Sequence, residues 1–259
     1  MNDKLLVETA VLAGEIMLIS GAEIYRVENT IDHILRKAGR DTAEAIVFST
    51  GIFASLNDPS IEAITIARRV TIRSTNLNRV YLVNDVSRKL CVDLMTVEEA
   101  YGRLKEIRNT MQYGRRVKDI GVVGVAVFFT LLLGGGGKDC AAAAVTGAVL
   151  AGVMEASVRI RLNDFCANGV CAFLIAVTTL LLQHFLMPGI NSDIIIIGAI
   201  MPLVPGVIFT TAIRDTLNGD YASGTARMME AVVIALAVAA GVGAGMGLFQ
   251  WMTGGGPAW

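Results

Sequence analysis

The chain has 259 residues, of which 54% are hydrophobic, with a mean hydropathy of +0.59 and a formal net charge of −1. That is too apolar for an ordinary soluble domain of this length. Seventeen of the 22 Lys and Arg residues and 15 of the 23 acidic residues precede residue 119, so two environments share one chain. The near-balanced charge of the first part excludes a nucleic-acid surface.

The amino-terminal stretch carries Asp3, Glu8 and Glu15 inside its apolar run, which a secretory signal would not tolerate, so entry into the membrane is expected through the first spanning helix. Leu5, Leu12, Ile16 and Ile19 recur at helical spacing, with Glu8 and Glu15 off that face. Ser20-Gly21 breaks the pattern. Ile24, Val27, Ile31 and Ile34 then form a second stripe, ended by Gly39. The two segments read as a helical hairpin.

From Ala45 the period changes. Ile46, Phe48, Ile52 and Phe53 make one β-rich run, and Asn57-Asp58-Pro59-Ser60 is a turn signal. Ile64 and Ile66, then Val70 and Ile72, alternate with polar or small residues that include Arg69 and Arg73, which predicts a strand pair with one wet, basic face. Helical spacing returns at Val80, Val83 and Val86, and again after Thr96, where Thr96 and Glu99 make a capping box.

Five apolar segments follow, at about 118–136, 139–158, 167–187, 193–213 and 230–251, each near the length that crosses a bilayer. Arg115, Arg116, Lys118, Arg159, Arg161, Arg214 and Arg227 all fall on one side, with Lys138 opposite, so the positive-inside rule puts the amino terminus in the cytoplasm and the carboxyl terminus outside. The expected fold is therefore an α+β cytoplasmic domain over residues 1–116, then an all-α bundle of five transmembrane helices over 117–259.

Chemistry-bearing residues concentrate in three places. Pro202, Pro205 and Gly206 lie mid-way along the fourth span, where two missing donors should unwind the helix, and broken helices are where transporters hold anionic substrates. Arg214 and Asp215 close that span, while Arg227 and Glu230 open the next, so they form either a charged cluster at the cytoplasmic mouth or a solvated interface. Glu155 is a proton-relay candidate, unless it merely pairs with Arg159 at i+4. In the first domain Glu23, Tyr25, Arg26 and Glu28 read either as a solvated helix face or as partners of the mouth. Gly241/Gly245 and Gly243/Gly247 have the spacing of close helix packing, within the bundle or between subunits. The four cysteines and two histidines have no metal-ligand spacing, and no nucleotide loop, hydrolase or cofactor fingerprint occurs. No metal and no cofactor is expected.

Two stretches, Ser20-Gly21-Ala22-Glu23-Ile24-Tyr25-Arg26-Val27-Glu28 and the run from Pro202 and Pro205-Gly206 through Arg214-Asp215, Gly219-Asp220-Tyr221 and Ser223-Gly224 to Arg227 and Glu230-Ala231, resemble the threonine/serine exporter family, in particular the larger half of its split form. The resemblance implies an export subunit of the bacterial cytoplasmic (inner) membrane that moves small carboxylate metabolites, either amino acids or dicarboxylates such as succinate. It also implies a small five-helix partner subunit, or assembly with further copies of the same chain. On that reading the broken helix receives the carboxylate, Arg214 or Arg227 supplies counter-charge, and Glu155, Asp215 or Glu230 couples a proton. A membrane-anchored hydrolase or regulatory protein acting through residues 1–116 is the alternative, although an anchor needs only one span and no midplane break.

Overall fold

The computed structural model describes residues 2–40, 42–59, 61–71 and 74–254. In chain order these form α1 (Asp3–Ile19), α2 (Ile24–Arg36), β1 (Thr42–Phe48), β2 (Gly51–Asp58), β3 (Ile61–Arg69), α3 (Leu77–Cys91), α4 (Val97–Asn109), α5 (Arg115–Leu132), α6 (Gly137–Arg159), α7 (Asp164–Leu181), α8 (Ser192–Ile200), α9 (Gly206–Leu217) and α10 (Tyr221–Thr253). The chain divides into two compact units. One holds residues 1–111 with 206–229, the other 112–205 with 230–259.

In the first unit α1 is the hub. The Asn2 side chain caps it by accepting from the Leu5 N–H at 3.2 Å. The single apolar stripe expected for α1 understates its burial, because Leu6, Val7, Ala10, Val11, Ala13, Met17 and Leu18 are buried too. The reason is that α2, α3, α4 and the sheet surround it. Glu15 is likewise not on a wet face: it is almost buried and meets Arg108 of α4 at 3.2 Å. Gly21, with φ +83°, makes the turn into α2, whose stripe of Ile24, Val27, Ile31 and Ile34 is fully buried as its periodicity predicts.

The sheet is an antiparallel meander of order β1-β2-β3. The β-rich run is cut at Ser49-Thr50, where a two-residue turn pairs Phe48 with Gly51 and Val47 with Ile52. It therefore supplies two strands, and the alternation at Ile64 and Ile66 supplies the third. Ile52, Ala54 and Leu56 face the helices, while Phe53 is half exposed on the other side. Val70 falls just past β3, and Ser60, Ile72 and Arg73, expected in the turn and the second strand, lie outside the described residues. The Thr96/Glu99 capping box of α4 is present as the spacing predicts.

In the second unit α5, α6, α7 and α8 pack around small side chains such as Ala126, Ala172, Ala176 and Ala199. A π-helical turn, Leu182–Leu186, extends α7, and a 3-10 turn, Met201–Leu203, extends α8. Among the described residues three helices are long and apolar enough to cross a membrane: α6, α7 with its π turn, and α10. The segments Ser192–Leu203 and Gly206–Leu217 together qualify as one broken span or a re-entrant loop. The first expected span, 118–136, does not qualify. Its helix α5 ends at Leu132 and carries Arg115, Arg116, Lys118 and Asp119 at its start, leaving only Ile120–Leu132 apolar, roughly 20 Å of helix.

Candidate functional site

The first turn of a helix leaves backbone N–H groups without partners. Glu23 occupies the cap position of α2 but makes no side-chain cap bond. The carboxylate comes instead from α9, where Asp215 Oδ1 accepts the Ile24 N–H at 3.0 Å in a buried contact. Asp215 has no exposed surface, and its Oδ2 lies 3.0 Å from Arg227 Nη1 of α10, whose side chain is only 4% exposed. Arg227 Nη2 also donates to the Ala22 carbonyl at 3.0 Å. One buried ion pair therefore closes both the donor and the acceptor side of the turn before α2.

A second layer surrounds this pair. Arg214 donates to Glu23 Oε1, while Arg26 donates to Glu23 Oε2 at 3.3 Å. Burial works to raise the Glu23 carboxyl, but its backbone hydrogen bond and the two guanidinium groups outweigh it and hold the group below the ordinary carboxylate value. Ser223 Oγ accepts the Ser49 N–H at 3.2 Å, tying the β1–β2 turn to α10. Gly224 lets α10 approach α9, since a Cβ there would come within 3.0 Å of the Ala212 carbonyl oxygen. On the other side of α2, Glu28 Oε1 accepts the Val47 N–H at 3.0 Å. Burial pushes Glu28 upward against that bond, and the nearby charges of Asp220 and Asp32 add to the rise. Tyr25 remains exposed at the edge of α2.

The structure thus brings Glu23, Arg26, Arg214, Asp215 and Arg227 into one cluster. Gly206 opens α9 in the same unit, while Pro202 and Pro205 belong to the second unit. The break itself forms as the prolines dictate: α8 ends in the 3-10 turn, Val204 is extended with ψ 126°, and α9 restarts at Gly206. From Gly206 to Arg214 is eight residues of helix, about 12 Å. Glu155 lies elsewhere, between Arg115 of α5 and Arg159 one turn along α6 at 2.9 Å, which includes the i+4 pairing its spacing allowed. Glu230 begins the part of α10 that belongs to the second unit. Among the described residues no three His, Cys, Asp or Glu side chains converge to hold a metal.

Several groups escape sequence reasoning. Ser49 carries no charge or motif, and Ala22, Ile24 and Ser223, though inside the two quoted stretches, give no sign of the bonds they make. The Asp139 carboxylate accepts from both Gly136 N–H and Asn191 N–H at 2.8 Å, pinning the α7–α8 connection to the start of α6.

Several apolar helices of spanning length, one of them a bent pair, mark the chain as a multi-pass membrane protein. The profile of the ThrE family, described as "Putative threonine/serine exporter", matches residues 8–249, and the chain belongs to that family. It is 22% identical over 241 residues to a "Probable threonine/serine exporter" of Mycobacterium tuberculosis (strain ATCC 25618 / H37Rv), covering 92% of this chain and 45% of that protein. The chain therefore spans about half the length of the curated relative it matches. No solved structure matches it.

Proposed function

We propose that this chain is one subunit of a secondary active exporter of small carboxylate metabolites, either threonine- and serine-type amino acids or dicarboxylates such as succinate, driven by a proton gradient. The observation that carries the reading is the helix break at Val204-Pro205 in a chain of the threonine/serine exporter family. The first turn of α9 presents N–H groups at the positive end of a helix dipole, the environment that receives a carboxylate. Arg214 and Arg227 are engaged by Glu23 and Asp215. They act as counter-charge by exchanging those partners for the substrate. Asp215, Glu155 and Glu230 are the groups through which a proton couples.

In the same reading α5, α6, extended α7, the α8–α9 pair and α10 are five spans of a bacterial cytoplasmic membrane. The positive-inside pattern supports a cytoplasmic amino terminus and an external carboxyl terminus. In this reading a five-helix partner subunit or another copy of this chain completes the pathway.

Efflux from proteoliposomes loaded with threonine, serine or succinate, with and without a pH gradient, tests the reading. Gradient-dependent release by the chain alone indicates a self-sufficient homo-oligomer, whereas release only with a co-reconstituted five-helix protein indicates a half-transporter. Absence of release in both arms sinks the proposal. The double variant Pro202→Ala/Pro205→Ala should abolish flux in whichever arm is active without changing the unfolding temperature; full transport by that variant removes the broken-helix site.

A further inference from the structure

The first unit holds a second polar cleft, between α2 and α3, that the exporter reading does not use. Two adjoining cavities of about 400 Å3 and about 440 Å3 share Arg26, Asn84 and Arg88 in their walls. Thr30 and Ser87, both buried, line the larger-mouthed of the two, with Asn29 and His33 beside them. Short side chains at Thr30 and Ser87 leave space where Leu or Met would close the α2–α3 contact.

The charge in this cleft is one-sided. Among the described residues Asp85 is the one carboxylate in its lining, and Lys89 already holds it at 2.7 Å. Among the described residues Arg88 has no ion-pair or hydrogen-bond partner for its guanidinium, and the side-chain amides of Asn29 and Asn84 have none either. Arg26 has only its 3.3 Å contact with Glu23 and is 40% exposed. The His33 Nδ1–H donates to the Asn29 carbonyl at 2.6 Å, which leaves Nε2 uncommitted. Two guanidinium forks in the wall of one cleft, with unpaired amides beside them, match the planar, bidentate geometry of an oxyanion.

The geometry points to the α2–α3 cleft as a binding site for a small oxyanion-bearing metabolite, its carboxylate or phosphate gripped by Arg26 and Arg88 and oriented by Asn29 and Asn84. The site stands independently of the export reading, because none of its residues belongs to the helix break. Its occupancy bears on α9 nonetheless. Arg26 is shared with Glu23, whose other oxygen holds Arg214. An anion that draws Arg26 away leaves Glu23 to Arg214 alone.

Calorimetric titration of the full-length protein in nanodiscs, once with succinate and once with inorganic phosphate, tests the site. Saturable binding of at least one anion is expected, weakened about tenfold or more in Arg88→Gln at an unchanged unfolding temperature. Binding of succinate alone identifies a carboxylate site, and binding of phosphate identifies a phosphoryl site. Should Arg88→Gln lower the unfolding temperature, Arg88→Lys, which keeps the charge and removes the fork, should still weaken binding. The Pro202→Ala/Pro205→Ala protein should retain the binding that depends on Arg88. No saturable binding of either anion, binding unaffected by the Arg88 variants, or binding lost instead in the double-proline variant overturns the assignment.

Discussion

Asp215 and Arg227 are the residues on which the first unit turns. Each is buried, and each also bonds the backbone around Glu23, so removing Asp215 takes the carboxylate from a buried guanidinium and the acceptor from the Ile24 N–H, while removing Arg227 takes the guanidinium from a fully buried carboxylate. Asp215→Ala or Arg227→Ala should therefore cost about 3–5 kcal/mol, read as a fall in unfolding temperature, while Asp215→Leu/Arg227→Met should recover much of the loss. Carboxylates outside the membrane segments set the pH response. Glu23 is held below its ordinary value of 4.5, so its contribution is present above that pH and fades as pH falls through the lowered value. Burial raises Glu28 from 4.5 and Asp32 from 3.8, so their contributions are complete below those values and fade as pH rises through the raised ones. Glu28→Gln keeps an acceptor for the Val47 N–H and removes the titration. Unfolding temperatures followed from about pH 4 to about pH 8 should then show a smaller loss on the alkaline side than in the parent, and an identical profile would contradict the assigned direction. The individual residues of this cluster were legible in the sequence as charged positions. Their pairing was not, because Glu23 and Arg214 are 191 residues apart and no periodicity spans that distance.

Helices and strands show the same division between local and distant information. The α2 stripe, the α4 capping box and the proline break were all legible, because each is set by neighbours within a few residues. The β1–β2 turn was not, since Ser49-Thr50 lacks the Asn-Gly signature of a tight hairpin and its flanks read as one apolar run. The buried back of α1 was missed because burial on several sides erases the period that one-sided burial leaves. In α10 two glycine pairs with the same spacing have different fates. A Cβ on Gly245 would stand 2.8 Å from the Phe173 carbonyl oxygen, and one on Gly241 would overlap the Gly169 carbonyl, so this pair serves packing on α7. Nothing lies within 4 Å of a Cβ on Gly243 or Gly247. Gly241→Ala should therefore destabilise the second unit by about 1–3 kcal/mol, while Gly243→Ala should leave the unfolding temperature in detergent unchanged. Equal effects from the two would remove the distinction between the faces.

At the scale of the whole molecule, the first compact unit is discontinuous in sequence: residues 1–111 are joined by 206–229. A boundary near residue 116 was expected from charge and hydropathy, which report environment and are silent on which late segment returns to an early one. Expressing residues 1–116 alone should leave the Ile24 N–H without its acceptor. Its hydrogen exchange should be much faster in the fragment than in the full chain, and equal protection would show that another group can cap α2. The discontinuity also sets an order of events during synthesis. Some 90 residues separate the end of the first stretch from the start of the second, so a ribosome adding 5–20 residues per second takes roughly 5–20 s to deliver α9. Throughout that interval the nascent amino-terminal part holds an unsealed turn, with the Ala22 carbonyl and the Glu23 carboxylate waiting for arginines not yet made. A truncation anywhere before residue 206 therefore removes more than helices at the end of the chain: it leaves the beginning of the protein without the segment that completes it.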